Sequence, residues 1–244
     1  MGEVIAVLSG KGGTGKTSIC AGIAAAMAQH ELQILCVDCD VGLRNLDISL
    51  GMSQVSALSF VEAIQYGCDF ELAAAHPEFS NLHFFTAPVN CTTEQVDEGE
   101  FRTFLDKARE RYQYIFLDAP AGIEGGFQLA ARYADRVILV TGPDPASIRD
   151  AGRTGEVLEL MKKADVRLIV NRISRKLATA MGLTVDDIMD QAGLPLLGLV
   201  PEDPNVIMAA VSGESLLTFT NRGAAAACRR IARRIQGYRV KIHL

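Results

Sequence analysis

The sequence predicts an α/β fold: a doubly wound, mostly parallel sheet flanked by helices on both faces. Three observations predict it. Short runs that are apolar at nearly every position alternate with longer amphipathic stretches, the pattern of parallel strands joined by crossover helices. These runs lack the polar alternation of a sheet with one wet face, so both faces should be covered. The first run also opens directly onto a glycine-rich stretch, and an Ala-rich segment of helical character follows. At 244 residues, with 49% hydrophobic and 22% charged side chains, the chain can bury a full core in one domain.

The elements follow in order. A strand is expected at 3–8 (EVIAVL), then a helix at 16–29, released by the glycines before it and favoured by its alanines. A second strand at 33–38 (QILCVD) contains Cys36 and begins a C-x-x-C with Cys39. A redox pair needs its attacking thiol at a helix N-terminus, so this pair is read as core packing. Helix 57–66, strand 82–86, helix 93–111 and strand 114–118 come next, followed by helix 124–133, strand 136–141 and helix 145–163. The series closes with strand 166–170, helix 184–192, strand 195–200 and helices at 204–211 and 223–236. Nothing reads as an interdomain linker, repeat or low-complexity tract, so residues 1–236 are expected to form one domain and 237–244 a basic tail.

The formal charge of −5 argues against a globally basic, nucleic-acid-coating protein, yet it conceals an asymmetry. Beyond Glu214 there is no acidic residue, while Arg222, Arg229, Arg230, Arg233, Arg234, Arg239 and Lys241 supply seven positive charges. Residues 1–221 therefore carry a formal −12, seventeen basic side chains against twenty-nine acidic ones. A basic end on an acidic body fits an anionic partner or a solvated helix face. In 223–236, Ala224, Cys228, Ile231 and Ile235 fall on one helical stripe opposite Arg229, Arg230, Arg233 and Arg234. After Gly237, "YRVKIHL" places Tyr238, Val240, Ile242 and Leu244 at period two, which predicts an extended tail. No apolar run approaches the ~20 residues of a membrane span, and no signal pattern precedes the first strand, so a cytoplasmic protein is expected. The six scattered cysteines agree with reduced thiols.

In sheets of this kind ligands bind at the carboxyl ends of the strands. There the sequence places "SGKGGTGKTS" (9–18), in which Gly10, Gly15, Lys16 and Thr17 satisfy G-x-x-x-x-G-K-[ST], a P-loop in its proper strand-to-helix context. Gly12, Gly13 and Gly15 let backbone N–H groups turn onto a phosphate, and the helix dipole adds to them. Lys16 is expected on the β and γ phosphates, with the Thr17 hydroxyl on Mg²⁺. Asp118 ends "YIFLD" as a Walker-B carboxylate does, Asp38 ends the neighbouring strand, and Asp40 has left it. Each alone is also an ordinary cap or turn residue; three together beside a P-loop point to metal binding and, at Asp40, to orientation of the attacking water. Asn171 follows "RLIV" and offers an amide to an adenine edge, or serves as a turn residue. Lys11 has no evident task within its own loop.

On these residues the chain resembles the deviant Walker-A ATPases that include MinD and ParA, whose loop K-G-G-x-G-K-[ST]-[ST] is matched by Lys11, Gly12, Gly13, Thr14, Gly15, Lys16, Thr17 and Ser18. "DCDVGLRNLD" (38–47), "DAPAGIEGGF" (118–127), "VTGPDPASIRDAGR" (140–153) and "GLVPEDPNVIMAAVSGE" (198–214) narrow the resemblance to the MinD family, over residues 3 to about 216. The resemblance implies a SIMIBI-type P-loop NTPase fold, ATP and Mg²⁺ as ligands, and an ATP-dependent homodimer in which Lys11 crosses to the partner's phosphates. Asp40 would position water, Asp38 and Asp118 would support the metal, and Asn171 with Pro201 to Asp203 would border adenine. It further implies septum-site determination in cell division, MinC-like and MinE-like or equivalent partners, and reversible association with the inner face of the cell membrane. MinD proteins end in a short amphipathic helix; the period-two tail here departs from that pattern and would contact anionic lipid only weakly, through Arg239 and Lys241.

A ParA-like DNA-segregation ATPase shares Lys11 and the fold, but the acidic body and "GLRNLD" favour MinD, and nucleic acid is not the expected partner. A flagellar-placement relative would carry an extra N-terminal helix, whereas the first strand here starts by residue 3. An iron–sulfur reductase would need cysteines beside the switch region, and 118–127 contains none. The intact Lys16, Asp40 and Asp118 disfavour a non-hydrolysing scaffold.

Overall fold

The computed structural model describes residues 1–41, 44–89, 95–174, 176 and 184–242. Its sheet has eight strands: β1 (Glu3–Leu8), β2 (Ile34–Asp38), β3 (Ala74–Ala75), β4 (Leu82–Phe85), β5 (Tyr114–Asp118), β6 (Arg136–Thr141), β7 (Val166–Ile173) and β8 (Leu196–Pro201). They lie in the order β3-β4-β2-β5-β1-β6-β7-β8. All neighbours are parallel except β3 with β4. β1 occupies the centre, so the loop leaving it meets the carboxyl ends of β5 and β6 on either side.

Period-two alternation sorts the strand residues between two cores. Val4, Ala6, Leu8, Leu117 and Leu139 pack on one face with α3 (Phe60–Gln65), α4 (Glu98–Arg111), α5 (Gly126–Tyr133), α6 (Pro145–Leu160) and α7 (Val185–Ala192). Ile5, Val7, Cys36, Phe116 and Ile138 pack on the other with α1 (Lys16–Ala28), α2 (Leu46–Leu50), α9 (Leu216–Phe219) and α10 (Gly223–Ile235); α8 (Asn205–Ser212) lies between β8 and α9 in the chain and packs against α9. The strand interiors are apolar at nearly every position because each face meets a helix layer, and the polar residues Glu3, Asp118, Arg136 and Thr141 stand at strand ends. On the first face Phe70 makes ring contacts with Phe85, Phe104 and Tyr112, and Phe60 meets Phe101 edge-on. Each such buried ring contributes about 2–3 kcal/mol. α1 is buried along nearly its whole length between the sheet and α10, so its alanines suit a tight site on every side.

Several boundaries differ from the sequence reading for local reasons. The helix expected from 57 starts at Phe60, because Ser59 is extended, bridges to Thr86 and closes a capping box with Glu62. The helix expected over 145–163 ends at Leu160 with Met161 as its cap. β3, α2 and α9 are additional, each too short to show periodicity. The expected helix start at 93–94, Gly42 and Leu43 of the "DCDVGLRNLD" stretch, Cys91 and Leu244 lie outside the described residues. Cys20, Cys36, Cys39 and Cys228 are buried free thiols, and burial raises the pKa of each, so the C-x-x-C is packing. Along α10 the expected stripe is buried, and Gly237, in the left-handed region at φ 89°, ends the helix; 238–242 carry no helix. No helix among the described residues is long and apolar enough to cross a membrane.

Candidate nucleotide site

The loop from Ser9 to Gly15 joins the end of the central strand to the N-terminus of α1. Gly13 and Gly15 hold φ of 80° and 85°, conformations open to glycine and costly for a residue with a Cβ. Gly15 is the cap of α1, and a Cβ there would lie 2.3 Å from Asn171 Nδ2. Around Gly12 and Gly13, by contrast, a Cβ would meet nothing within 4 Å, so this part of the loop rims open space. The buried hydroxyls Ser9 Oγ and Thr14 Oγ1 have no hydrogen-bond partner among the described residues. A helix N-terminus, an open glycine cradle and two orphaned hydroxyls fit a bound phosphate group.

Lys16, 6% exposed, directs Nζ to Asp118 Oδ1 at 2.8 Å. The pair forms because Val7 and Asp118 are in register on adjacent strands, which brings the P-loop helix over the end of β5. Burial raises the Asp118 pKa, against the pull of the Lys16 charge and hydrogen bonds from Lys16 and Thr17. Asp38, in register with Asp118 from the other side, is fully buried. It accepts from the Asp40 N–H at 2.9 Å and the Leu46 N–H at 3.3 Å. Burial, reinforced by the Asp118 charge, pushes its pKa up to about 7. Asp40 sits beyond the strand, partly exposed; desolvation raises its pKa while Lys16 opposes the rise. One hydroxyl, Thr17, and two carboxylates suit a hard cation that shares phosphate oxygens; no cluster of three His, Cys, Asp or Glu able to hold a metal occurs among the described residues.

Beside the loop a cavity of about 550 Å³ is lined by Gly15, Ser18, Asn171, Pro201 and Asp203, so the residues expected at adenine do converge. Their bonding adds what the sequence did not reveal. Asn171 Nδ2 donates to the Thr14 carbonyl at 2.8 Å and so braces the P-loop. Asp203 accepts from the Asn205 N–H and the Ala224 N–H, capping α8 and α10 at once. Arg172, at φ 56°, also lines the cavity; its place directly after Asn171 was the available signal. Ser9 was visible only as the residue before Gly10. Lys11 is exposed, makes no hydrogen bond or ion pair among the described residues, and lies within electrostatic reach of Asp144, the cap of α6.

A central strand, a glycine cradle, a buried loop lysine on a strand-end carboxylate and a cavity for a base define a P-loop nucleotide-binding protein. The CobQ/CobB/MinD/ParA nucleotide binding domain matches residues 5–217. A septum site-determining protein MinD of Synechocystis is 32% identical over 240 residues, covering 97% of this chain and 90% of the relative. MinD of Aquifex aeolicus, solved in a MinC:MinD cell division protein complex, superposes with a TM-score of 0.90 at 32% identity, covering 99% of this chain and 98% of that one. MinD of Pyrococcus horikoshii, solved with Mg-ADP, gives 0.82 at 26% identity, with 96% of each chain covered. The chain belongs to the MinD family of the P-loop ATPases, the septum-site regulators of cell division.

Proposed function

We propose that this protein is a Mg²⁺-dependent ATPase whose ATP-bound form is a homodimer, and that partner-stimulated hydrolysis to ADP and phosphate ends the dimeric state. The observation that carries the reading is the contrast between its two loop lysines. Lys16 is buried on Asp118, whereas Lys11 stands in solvent at the same cradle without a hydrogen-bonding partner among the described residues. A free cation there is suited to the phosphates of an opposed protomer, where it would stabilise charge on the transferring group and make turnover depend on assembly. α8 supports a facing protomer as well: Ile207, which lines the base cavity, is exposed together with Met208 and Val211.

Within each protomer the backbone of Gly12 to Gly15, Lys16, Thr17 and Ser18 would hold the phosphates, and Thr17, Asp38 and Asp118 the cation. Mg²⁺, when bound, supplies charge neutralisation on the β and γ phosphates. Asp40 would orient the water, its carboxylate outside the strand and within the field of Lys16. Asn171, Pro201 and Asp203 would border the base. The Aquifex complex supports a MinC-like partner. A MinE-like or equivalent activator follows from the family resemblance. Exposed Tyr238 and Ile242 alternating with Arg239 and Lys241 support a weak, reversible contact of the 237–244 tail with an anionic membrane, strengthened on dimerisation.

Sizing the protein with ADP and with ATP, alongside phosphate release, tests this reading. Wild type should dimerise with ATP only; Lys11→Ala should lose hydrolysis; Asp40→Ala should keep the ATP dimer with turnover down by about a hundredfold or more. A fully active, monomeric Lys11→Ala protein would overturn it.

A further inference from the structure

The end of the sheet opposite the P-loop holds a second charged cavity. Its volume is about 700 Å³, and it lies between the first residues of β6, β7 and β8 and the segment that follows α10. Arg136, Arg167, Arg234, Arg239 and Lys241 line it, against the single carboxylate of Asp165. That carboxylate is already committed: it accepts from Arg136 Nε at 2.9 Å and from Arg167 Nε at 2.6 Å. Glu3, outside the lining, takes Arg136 Nη2 at 3.1 Å. Arg234, Arg239 and Lys241 have no carboxylate partner among the described residues.

Arg234 is the informative member. Helical spacing places it on the solvent face of α10, yet its guanidinium is half-buried and its Nη1 is closed to solvent without a hydrogen-bond partner among the described residues. Burial and the Arg167 charge both disfavour its cationic form. A guanidinium stays protonated in proteins, so this site cannot relieve the strain by losing a proton. A buried donor left without an acceptor costs about 1–3 kcal/mol, and more when charged. A merely solvated basic face would not hide an N–H from water; an arriving acceptor would relieve both the unpaired donor and the repulsion between Arg167 and Arg234.

We propose that this cavity binds a phosphate-bearing anion, held by Arg167, Arg234, Arg239 and Lys241. A tetrahedral, multiply charged oxyanion offers several acceptors at once to converging guanidinium forks, where one more carboxylate would satisfy a single fork. The volume accommodates the phosphate together with the group that carries it, and Leu197, Ile235 and Tyr238 supply an apolar wall for that group. The source is either a small soluble phosphate compound or the headgroup of an anionic phospholipid. Only the lipid form rests on the membrane contact proposed above, and neither rests on ATP-driven dimerisation.

The test is made on the full chain with saturating Mg²⁺ and ADP, so that the P-loop is filled. Calorimetric titration with pyrophosphate is compared among wild type, Arg234→Gln/Arg239→Gln and the charge-matched control Arg153→Gln/Arg222→Gln, whose residues lie outside the cavity. Co-sedimentation with vesicles of phosphatidylglycerol in phosphatidylcholine forms the second arm. Binding of pyrophosphate, at least tenfold weaker in the cavity variant and within twofold of wild type in the control, supports a soluble ligand. Retention on the anionic vesicles with the same dependence, and no pyrophosphate binding, supports a lipid headgroup. Because the Arg234 side chain makes no hydrogen bond or ion pair among the described residues, the variant should fold, and its melting temperature should equal or exceed that of wild type. Absence of binding to both probes, or equal binding by wild type and cavity variant, overturns the proposal. Retention dependent on Arg234 that appears only on duplex DNA also overturns it.

Discussion

Lys16 Nζ and Asp118 Oδ1 lie 2.8 Å apart, and their side chains are 7% and 1% exposed, so each charge depends on the other for its solvation. Removing one partner of such a pair leaves the other buried and uncompensated, at a cost of about 3–5 kcal/mol. Lys16→Ala should therefore lower the urea midpoint of nucleotide-free protein at pH 8, and Lys16→Ala/Asp118→Asn should recover most of the loss. Both variants should fail to bind nucleotide, which separates the lysine's structural task from its ligand task. Equal midpoints for the two variants would mean that Asp118 is solvated by something other than Lys16.

Asp38 should leave a pH signature on stability. Its carboxyl ionises near 4 in the unfolded chain and near about 7 in the fold, because burial and Asp118 oppose the charge. Below pH 4 both states hold the proton. Between pH 4 and 7 the unfolded state releases it and the fold does not, so this group's contribution falls as pH rises, and it is level above 7. A difference of three units corresponds to at most about 4 kcal/mol. Asp118 acts in the same direction. In EDTA without nucleotide, the stability of wild type relative to Asp38→Asn should decline from pH 4 to pH 7; the variant keeps an acceptor for the Asp40 N–H and cannot titrate. A flat difference would place the Asp38 pKa at its ordinary value.

What was legible in the sequence follows from what leaves a local pattern. Strands covered on both faces are apolar at nearly every position, so 3–8, 114–118 and 136–141 could be read to the residue. The loop glycines and Lys16 stand in one short stretch with a steric reason for each. Pairings across the sheet leave no such trace. That Asp38 and Asp118 are register partners, that Asn171 reaches back 157 residues to Thr14, and that Asp203 ties together α8 and α10 are consequences of strand order. Arg234 shows the same limit: helical spacing put it in solvent, and the returning chain after Gly237 encloses it.

Gly12 and Gly15 should separate cleanly into a ligand position and a fold position. A Cβ on Gly12 meets nothing within 4 Å, and its φ is not positive, so Gly12→Val should change stability by no more than about 0.5 kcal/mol. The added side chain occupies the cradle, and nucleotide affinity should fall by about tenfold or more. Gly15→Ala has the opposite profile: φ 85° and a contact at 2.3 Å with Asn171 Nδ2 should destabilise the nucleotide-free protein measurably. Urea midpoints and nucleotide dissociation constants for the two variants check both halves. Loss of stability in Gly12→Val would mean that its Cβ position is filled by protein.

Asn171 offers two roles through the two ends of one amide. Nδ2 donates to the Thr14 carbonyl, while the oxygen has no partner among the described residues and the side chain borders the base cavity. If Nδ2 braces the loop and Oδ1 accepts from the adenine amino group, Asn171→Ala should weaken ATP and GTP together, by about five- to tenfold from the lost brace. It should also reduce the preference for ATP over GTP. Asn171→Asp keeps an acceptor toward the base but sets a carboxylate against the Thr14 carbonyl, so both nucleotides should weaken while the preference for ATP survives. Competition titrations with the two nucleotides measure each quantity. A uniform loss in Asn171→Ala, with the ATP to GTP ratio unchanged, would assign the residue to the loop alone and move adenine recognition to the backbone around Pro201.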